Sequence, residues 1–411
     1  MTSGFEQLND PPEQVRFEPA RKAGLARLEQ FVSRTGRHYA RTRNYDFGAD
    51  RRNNVSVLSP WLRHRLVTEE EVLFRVLAAH GEKAAEKFIQ EVFWRPYFKG
   101  WLEQRPSVWI NYQRNLLACL KRLEGDDALN TTYQNAISGS TGIDCFDHWM
   151  KELTATGYIH NHARMWVASI WIFTLRLPWE LGADVFMRHL VDGDPASNTL
   201  SWRWVAGLHT KGKTYLARPD NIAKYTNGRF QPQGLADIAE PLVETEQHPR
   251  VALHARSNQP LTQPYLLLIT EEDMEAANTV PCPPVDVIGL TATHGRSPGQ
   301  IGDVASSFAK DAMDSALLPF GKVGEAHEDW AEPLIRAAKD CNVNTIVTPY
   351  CPVGPARARL DAAEPKLRAA GIHLHRILRP YDARSWPHAK AGFFGLKKKI
   401  PSILRDLDLV R

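Results

Sequence analysis

Apolar positions early in the chain recur at helical spacing: Val72, Leu73, Val76 and Leu77, then Ala85, Phe88, Ile89, Val92 and Phe93. Thr68-Glu-Glu-Glu71 ahead of them reads as a capping box, Gly81 as the end of a first helix, and Pro96 as a kink or boundary in a second that runs to about Leu102. The same period predicts helices over 144–155 and 158–175, joined at Gly157, and over 179–191, followed by the turn Asp192-Gly-Asp-Pro-Ala-Ser-Asn198. After Phe230 a polar stretch ends near Gln263, and the pattern then alternates. Strands are expected at 264–270, 285–292, 344–350 and 371–378, with helices at 301–318, 328–341 and 356–370. This predicts an all-α domain over 1–235, a linker over 236–263, and an α/β domain with a mostly parallel sheet over 264–411.

Composition narrows the class. A chain of 411 residues, 43% hydrophobic and 24% charged, has material for two or three soluble domains with a sizeable core. No apolar run of membrane-spanning length occurs, and the first residues lack a signal core, so a cytoplasmic protein without membrane association is expected. The five cysteines (Cys119, Cys145, Cys282, Cys341, Cys351) form no ligand spacing, and no metal site is expected. Neither GxGxxG nor GxxxxGK[ST] occurs, so the α/β part carries no dinucleotide or NTP signature. Residues 1–232 hold 31 Lys+Arg against 25 Asp+Glu, and the remainder 20 against 22, a bias that permits a polyanionic partner for the first part. Ten of the 12 tryptophans lie between Trp61 and Trp204, as an aromatic helical core or as flat surfaces for a ligand.

Several residues carry candidate chemistry by placement alone. Ser56 and Ser59 at a helix start offer hydroxyls and N–H groups suited to a diphosphate, or simply cap the helix, and Tyr39 adds a further donor. On the 158–175 helix, Asn161, Arg164 and Met165 share one face, whereas His160 and His162 point apart, which argues against a metal pair and for one packed and one exposed histidine. Glu91 and Trp94 are one turn apart, a carboxyl able to bond a base edge beside an indole able to stack on it; a solvated carboxyl beside a core ring is the alternative.

The motifs also carry a resemblance. Tyr39-Ala-Arg-Thr-Arg43-Asn with NNVSVLSPWLRHRLVT (53–68), Glu91-Val-Phe-Trp94-Arg95, Thr141-Gly-Ile-Asp, Thr156-Gly-Tyr-Ile-His-Asn161-His-Ala-Arg164-Met165, Trp179-Glu-Leu-Gly-Ala, and Leu190-Val-Asp192-Gly-Asp194 through Asn198 to Trp202-Arg-Trp204 follow one another in the order of the photolyase/cryptochrome flavin-binding domain. Over about 15–230 the chain resembles that family, which implies a helical FAD-binding domain holding the flavin as its fully reduced anion. The resemblance implies cofactor contacts from Tyr39, Ser56, Leu58, Ser59, Phe88, Asn161, Arg164, Asp192, Asp194 and Asn198, with Arg164 paired to Asp192 and Asn198 facing flavin N5. It implies substrate contacts from Arg43, Glu91, Trp94, Arg95, Met165 and Trp204, with Arg43 and Arg95 on DNA phosphates. His162 stands where many members carry an arginine, and Val55 where a threonine is usual.

The resemblance implies light-driven reversal of cyclobutane pyrimidine dimers in UV-damaged DNA, single strands included, by a monomer. Asn161 and Met165 stand where members acting on (6-4) photoproducts carry histidines, which favours the dimer. The alternative is a cryptochrome-like blue-light photoreceptor without repair. Two relay tryptophans have counterparts, Trp202 near the flavin and Trp179 beyond it; the third position falls on Asp126, leaving Trp149, Trp166 and Trp171 as a detour or as core. Most members place an α/β antenna domain before the flavin domain, whereas here an α/β segment follows it, so no contact to a second chromophore carries over. The Lys397–Lys399 run reads as a solvated face.

Overall fold

The computed structural model describes residues 15–253, 264–280 and 282–410. The start of the chain, with its expected lack of a targeting segment, and residues 254–263 of the expected linker lie outside the described residues. The first part is helical: α1 (Arg21–Val32), α2 (Arg37–Thr42), α3 (Ser59–Arg63), α4 (Glu69–Glu103), α5 (Ser107–Gly125), α6 (Asp127–Ser138), α7 (Asp144–Thr156), α8 (Asn161–Ser169), α9 (Trp179–His189), α10 (Pro195–Val205) and α11 (Pro219–Tyr225).

The expected capping box is present, with Glu71 N–H donating to Thr68 Oγ1 at 3.3 Å and Thr68 N–H to Glu71 Oε2 at 2.9 Å. At Gly81 the backbone turns to φ 67°, a conformation open to glycine, and α4 is two helices run together across that kink. Pro96 forms no boundary: the helix passes through it to Glu103, close to the end expected near Leu102. Its last turns are held from outside: Tyr350 Oη and Val353 N–H each donate to Glu103 at 2.6 Å, and Gln104 donates to Trp386 O at 3.0 Å. The helix expected over 158–175 starts later, because His160 caps it by accepting from His162 N–H at 3.1 Å, and it ends in a π-turn, Ile170–Thr174.

The second part contains β1 (Leu266–Thr270), β2 (Asp286–Thr291), α12 (Asp303–Leu317), β3 (Glu325–Ala326), α13 (Ala331–Asp340), β4 (Thr345–Pro349), α14 (Pro355–Ala369) and β5 (His373–Ile377), then α15 (Pro380–Ser385), α16 (Phe394–Lys397) and α17 (Ile400–Asp406). The strands form one parallel sheet in the order β3-β2-β1-β4-β5. Pattern reading missed β3, whose two residues are too short to show a period.

The pleat of β1 sends Leu266 and Leu268 into a core shared with α13 and α14, and Leu267 and Ile269 into the core of the helical part. The helical part sits on the carboxyl ends of β1 and β4, the switch point where doubly wound sheets commonly receive ligands. There Arg63 donates to Glu272 at 2.7 Å, Lys99 lies 3.5 Å from Asp194 and 3.6 Å from Glu272, and Arg65 donates to Asp382 at 2.7 Å. These groups are buried, and burial costs charge dearly unless every partner is in place.

The expected linker is no free tether over its described portion. Residues 236–253 run as a strap: Arg203 donates to both oxygens of Glu244 at 2.6–2.7 Å, Leu242 N–H to Ala206 O at 3.0 Å, and Val251 N–H to Gln104 O at 2.8 Å. No described helix is long and apolar enough to cross a membrane.

Candidate functional site

The segment Val55–Ser59 turns sharply because Val57 adopts φ 51°, a left-handed conformation costly for a β-branched residue. Arg27 fixes the turn, its Nε donating to Ser56 O at 2.9 Å and Nη2 to Val55 O at 3.2 Å. A left-handed Val57 followed by a right-handed Leu58 is the backbone alternation found in anion-binding turns, and the Leu58 N–H lies 3.5 Å from Ser56 Oγ. Ser56 and Ser59 are half-buried there, whereas Leu58 is buried.

Arg95 lies against this loop, and its position corrects the expectation of a DNA-phosphate contact. Its side chain is 13% exposed, with Nη2 3.5 Å from Ser59 O and Nη1 4.0 Å from Asp194. Nη1 is buried with no hydrogen-bond partner among the described residues, so the guanidinium suits an anion at the loop and not a strand outside.

Arg164 donates to Asp192 Oδ2 at 2.9 Å, the pair that the resemblance implied, while Asp192 Oδ1 is buried without a partner among the described residues. Arg164 also donates to Ile159 O at 3.1 Å. On the same helix Asn161 is exposed and Met165 half-buried. Asn198 is buried, and its Nδ2 donates to Ala183 O at 2.8 Å, which sets the orientation of its amide. An unmatched donor at Arg95, an unmatched acceptor at Asp192 and a strained N–H-rich loop fit a ligand with a diphosphate and hydroxyl groups.

Two expected cofactor residues are structural. Asp194 caps α10 by accepting from Ser197 N–H at 2.7 Å and lies among Lys99, Arg63 and Arg95. Burial works to raise its carboxyl, but those three cations outweigh it and hold the pKa well below the usual range. Phe88 is buried in an aromatic cluster, 5.0 Å from Tyr39 and 6.2 Å from Phe31 between ring centroids. Tyr39 stays a protonated donor, since burial, then Glu91, push its phenol up.

On the outer face, Arg43 and Glu91 form an ion pair, each about a third exposed. Burial raises the Glu91 pKa above the ordinary carboxylate value although Arg43 opposes it. Trp94, one turn on, is stacked by Phe393, with centroids 3.9 Å apart and planes within 11°. Trp204 is half-buried and lies 5.8 Å from Tyr215. No local signal pointed to Phe393, which lies in the α/β part, far along the chain from the indole it covers.

His162 is not the exposed histidine expected. Nδ1 lies 2.9 Å from Asn44 O, Nε2 3.1 Å from Tyr215 Oη, and the ring stacks on Trp166 at 4.1 Å. Burial lowers its pKa, which leaves it a poor phosphate contact. His160 is buried as expected of one of the two.

Among the aromatics, Trp202 meets Trp171 edge-on at 6.1 Å, and Trp171 meets Tyr133 at 6.1 Å. Gly182 makes room: a Cβ there would lie 2.9 Å from Trp171 Cε2 and overlap the Trp202 ring. Trp179 lies 5.6 Å from Tyr112, which in turn lies 5.2 Å from Trp109. Asp126, at the third relay position, caps α6 by accepting from Leu129 N–H at 3.0 Å. Trp149 and Trp166 stack at 5.2 Å in the core.

Residues 88–263 match the family profile for the FAD binding domain of DNA photolyase. The chain is 28% identical to a deoxyribodipyrimidine photo-lyase of Vibrio cholerae over 56% of its length and 47% of that protein. It is 33% identical to one of Synechococcus sp. over 46% and 39%, and 29% identical to a cryptochrome DASH of Synechocystis sp. over 65% and 52%. The chain thus spans about half the length, or less, of these curated relatives. Residues 88–263 thus match a photolyase-type FAD-binding domain, and the chain is similar over part of its length to photolyases and to a cryptochrome DASH.

Proposed function

We propose that the protein reverses cyclobutane pyrimidine dimers in DNA in a light-dependent reaction, with FAD held as the fully reduced anion. The observation that carries this reading is the partly exposed Arg43–Glu91 pair beside Trp94, a cation, an acid of raised pKa and an indole on one surface. Ser56, Ser59 and Arg95 would hold the diphosphate, Asp192 with Arg164 and Asn198 the ring end. When bound, the reduced flavin supplies the excited-state electron that opens the cyclobutane ring.

The chain's own residues bind, orient and tune. Arg164 sets positive charge beside Asp192, which favours an anion held there. Glu91, with its pKa raised, donates a hydrogen bond to a pyrimidine carbonyl when protonated and so stabilises negative charge developing on the pyrimidine dimer. Trp94 and Trp204 offer flat faces to a flipped-out dinucleotide, and Met165, with Asn161, stands at a motif position that favours the dimer over the (6-4) product. Arg43 contacts a backbone phosphate when Glu91 turns to the base.

The test is direct. Reduced, FAD-reconstituted protein is mixed with a thymine-dimer oligonucleotide under blue light or in darkness, and restored thymines are quantified by chromatography. Light-dependent restoration, reduced in Glu91→Ala, is expected. A flavin-loaded protein that restores none sinks the reading and favours the second one, a blue-light photoreceptor, to which Asp126 in place of the outer relay tryptophan points.

A further inference from the structure

The Lys397–Lys399 run has a location that its sequence did not reveal. The segment from Ala389 to Lys399 crosses α4 next to the Glu91–Trp94 stripe. Phe393 stacks on Trp94, Tyr97 Oη donates to Ala391 O at 2.7 Å, Arg105 donates to Lys390 O at 2.8 Å, and Lys397 lies 3.2 Å from Glu86. On a helix, Glu86, Gln90, Trp94 and Tyr97 form one row, and Glu91 lies in the adjoining row. The segment is therefore pinned along one side of the proposed lesion site, with Arg43 on the other.

Its outward groups are cationic and aromatic. Lys390, Lys398 and Lys399 are exposed, and none is in an ion pair among the described residues. Phe394 is 75% exposed beside them. Gly395 lies against His388, where a Cβ would stand 3.8 Å from the His388 carbonyl oxygen, so the segment folds back and its two ends share one patch. Uncompensated lysines with an exposed ring suit a nucleic-acid strand, phosphates on the ammonium groups and a base on the ring.

We propose that this C-terminal segment is a second rim of the DNA-binding surface, with Lys390, Lys398 and Lys399 contacting backbone phosphates on the Trp94 side of the lesion and Phe394 stacking on a neighbouring base. Phe393 backs Trp94, so the rim is packed directly against the stacking indole. This rests on the repair reading of the site.

The test is fluorescence anisotropy with a labelled, undamaged oligodeoxythymidine across a salt series, on flavin-loaded protein. The K390E/K398E/K399E variant is expected to lose about tenfold or more in affinity at low salt and to flatten the slope of log K against log salt by about 2, three contacts at about 0.7 each. The charge-matched K310E/K322E/K366E variant, altered on the α/β part away from α4, is expected to keep most of the slope. Phe394→Ala should weaken binding with the slope unchanged. Equal losses in both triple variants would mean a general field and overturn the rim, as would wild-type affinity in the first. Wild-type protein that repairs dimers while the first variant binds normally sinks the inference alone; wild-type protein that neither repairs nor binds sinks both.

Discussion

Arg164 donates to Asp192 Oδ2 at 2.9 Å, while Asp192 Oδ1, buried beside it, accepts from nothing among the described residues. A buried acceptor left open costs about 1–3 kcal/mol unless a ligand fills it. Asp192→Ala is expected to weaken FAD binding by about 5- to 150-fold, the same range converted to a dissociation constant, measured by equilibrium dialysis and flavin absorbance. Unchanged affinity would remove Asp192 from the cofactor site.

Because burial raises the Glu91 pKa, its protonated fraction persists above the ordinary carboxylate range and falls as pH rises through the raised value. Repair is therefore expected to decline on the alkaline side of its pH profile. Glu91→Gln, a permanent donor, should flatten that limb while leaving some activity. An identical limb in the variant would assign it to another group.

His160 is buried, and burial, opposed by Asp46, lowers its pKa to about 4. A folded-state pKa below the unfolded one means that stability present above the ordinary imidazole range is lost as pH falls through that range towards the lowered value. Urea midpoints taken at several pH values should show this slope in the wild type. In His160→Gln the slope should shrink, whatever the change in the midpoint itself.

Trp171 touches both Trp202 and Tyr133, whereas Asp126 offers no oxidisable ring. Trp171→Phe is expected to slow photoreduction of the flavin in the presence of a thiol, read by transient absorption, with repair by pre-reduced protein retained. Equal photoreduction rates would place electron flow elsewhere, with Trp179, Tyr112 and Trp109 the next set to alter.

Lys99 joins Asp194 of the helical part to Glu272 of the α/β part. Removing a single member of a buried ion group leaves charge uncompensated, at about 3–5 kcal/mol. Glu272→Gln is expected to lower the unfolding midpoint accordingly, measured in urea by circular dichroism. A variant as stable as the wild type would show that water reaches the cluster.

Features that depend on neighbours three or four positions apart were legible in the chain alone. Helical period, the Thr68–Glu71 box and the helix end expected at Gly81, where the backbone breaks, are of this kind, and the parallel sheet was legible from the alternation of strand and helix patterns. The motif order also implied the Arg164–Asp192 pair. Which way each charged or aromatic group finally points was settled by packing between distant segments. Arg95 turned inward to the Ser59 loop, Asp194 joined a buried ion cluster, residues 236–253 became a strap, and Phe393 covered a face of Trp94. Each of these depends on docking the sheet's carboxyl edge onto the helices, which brings together residues remote along the chain and leaves no periodic trace in either segment.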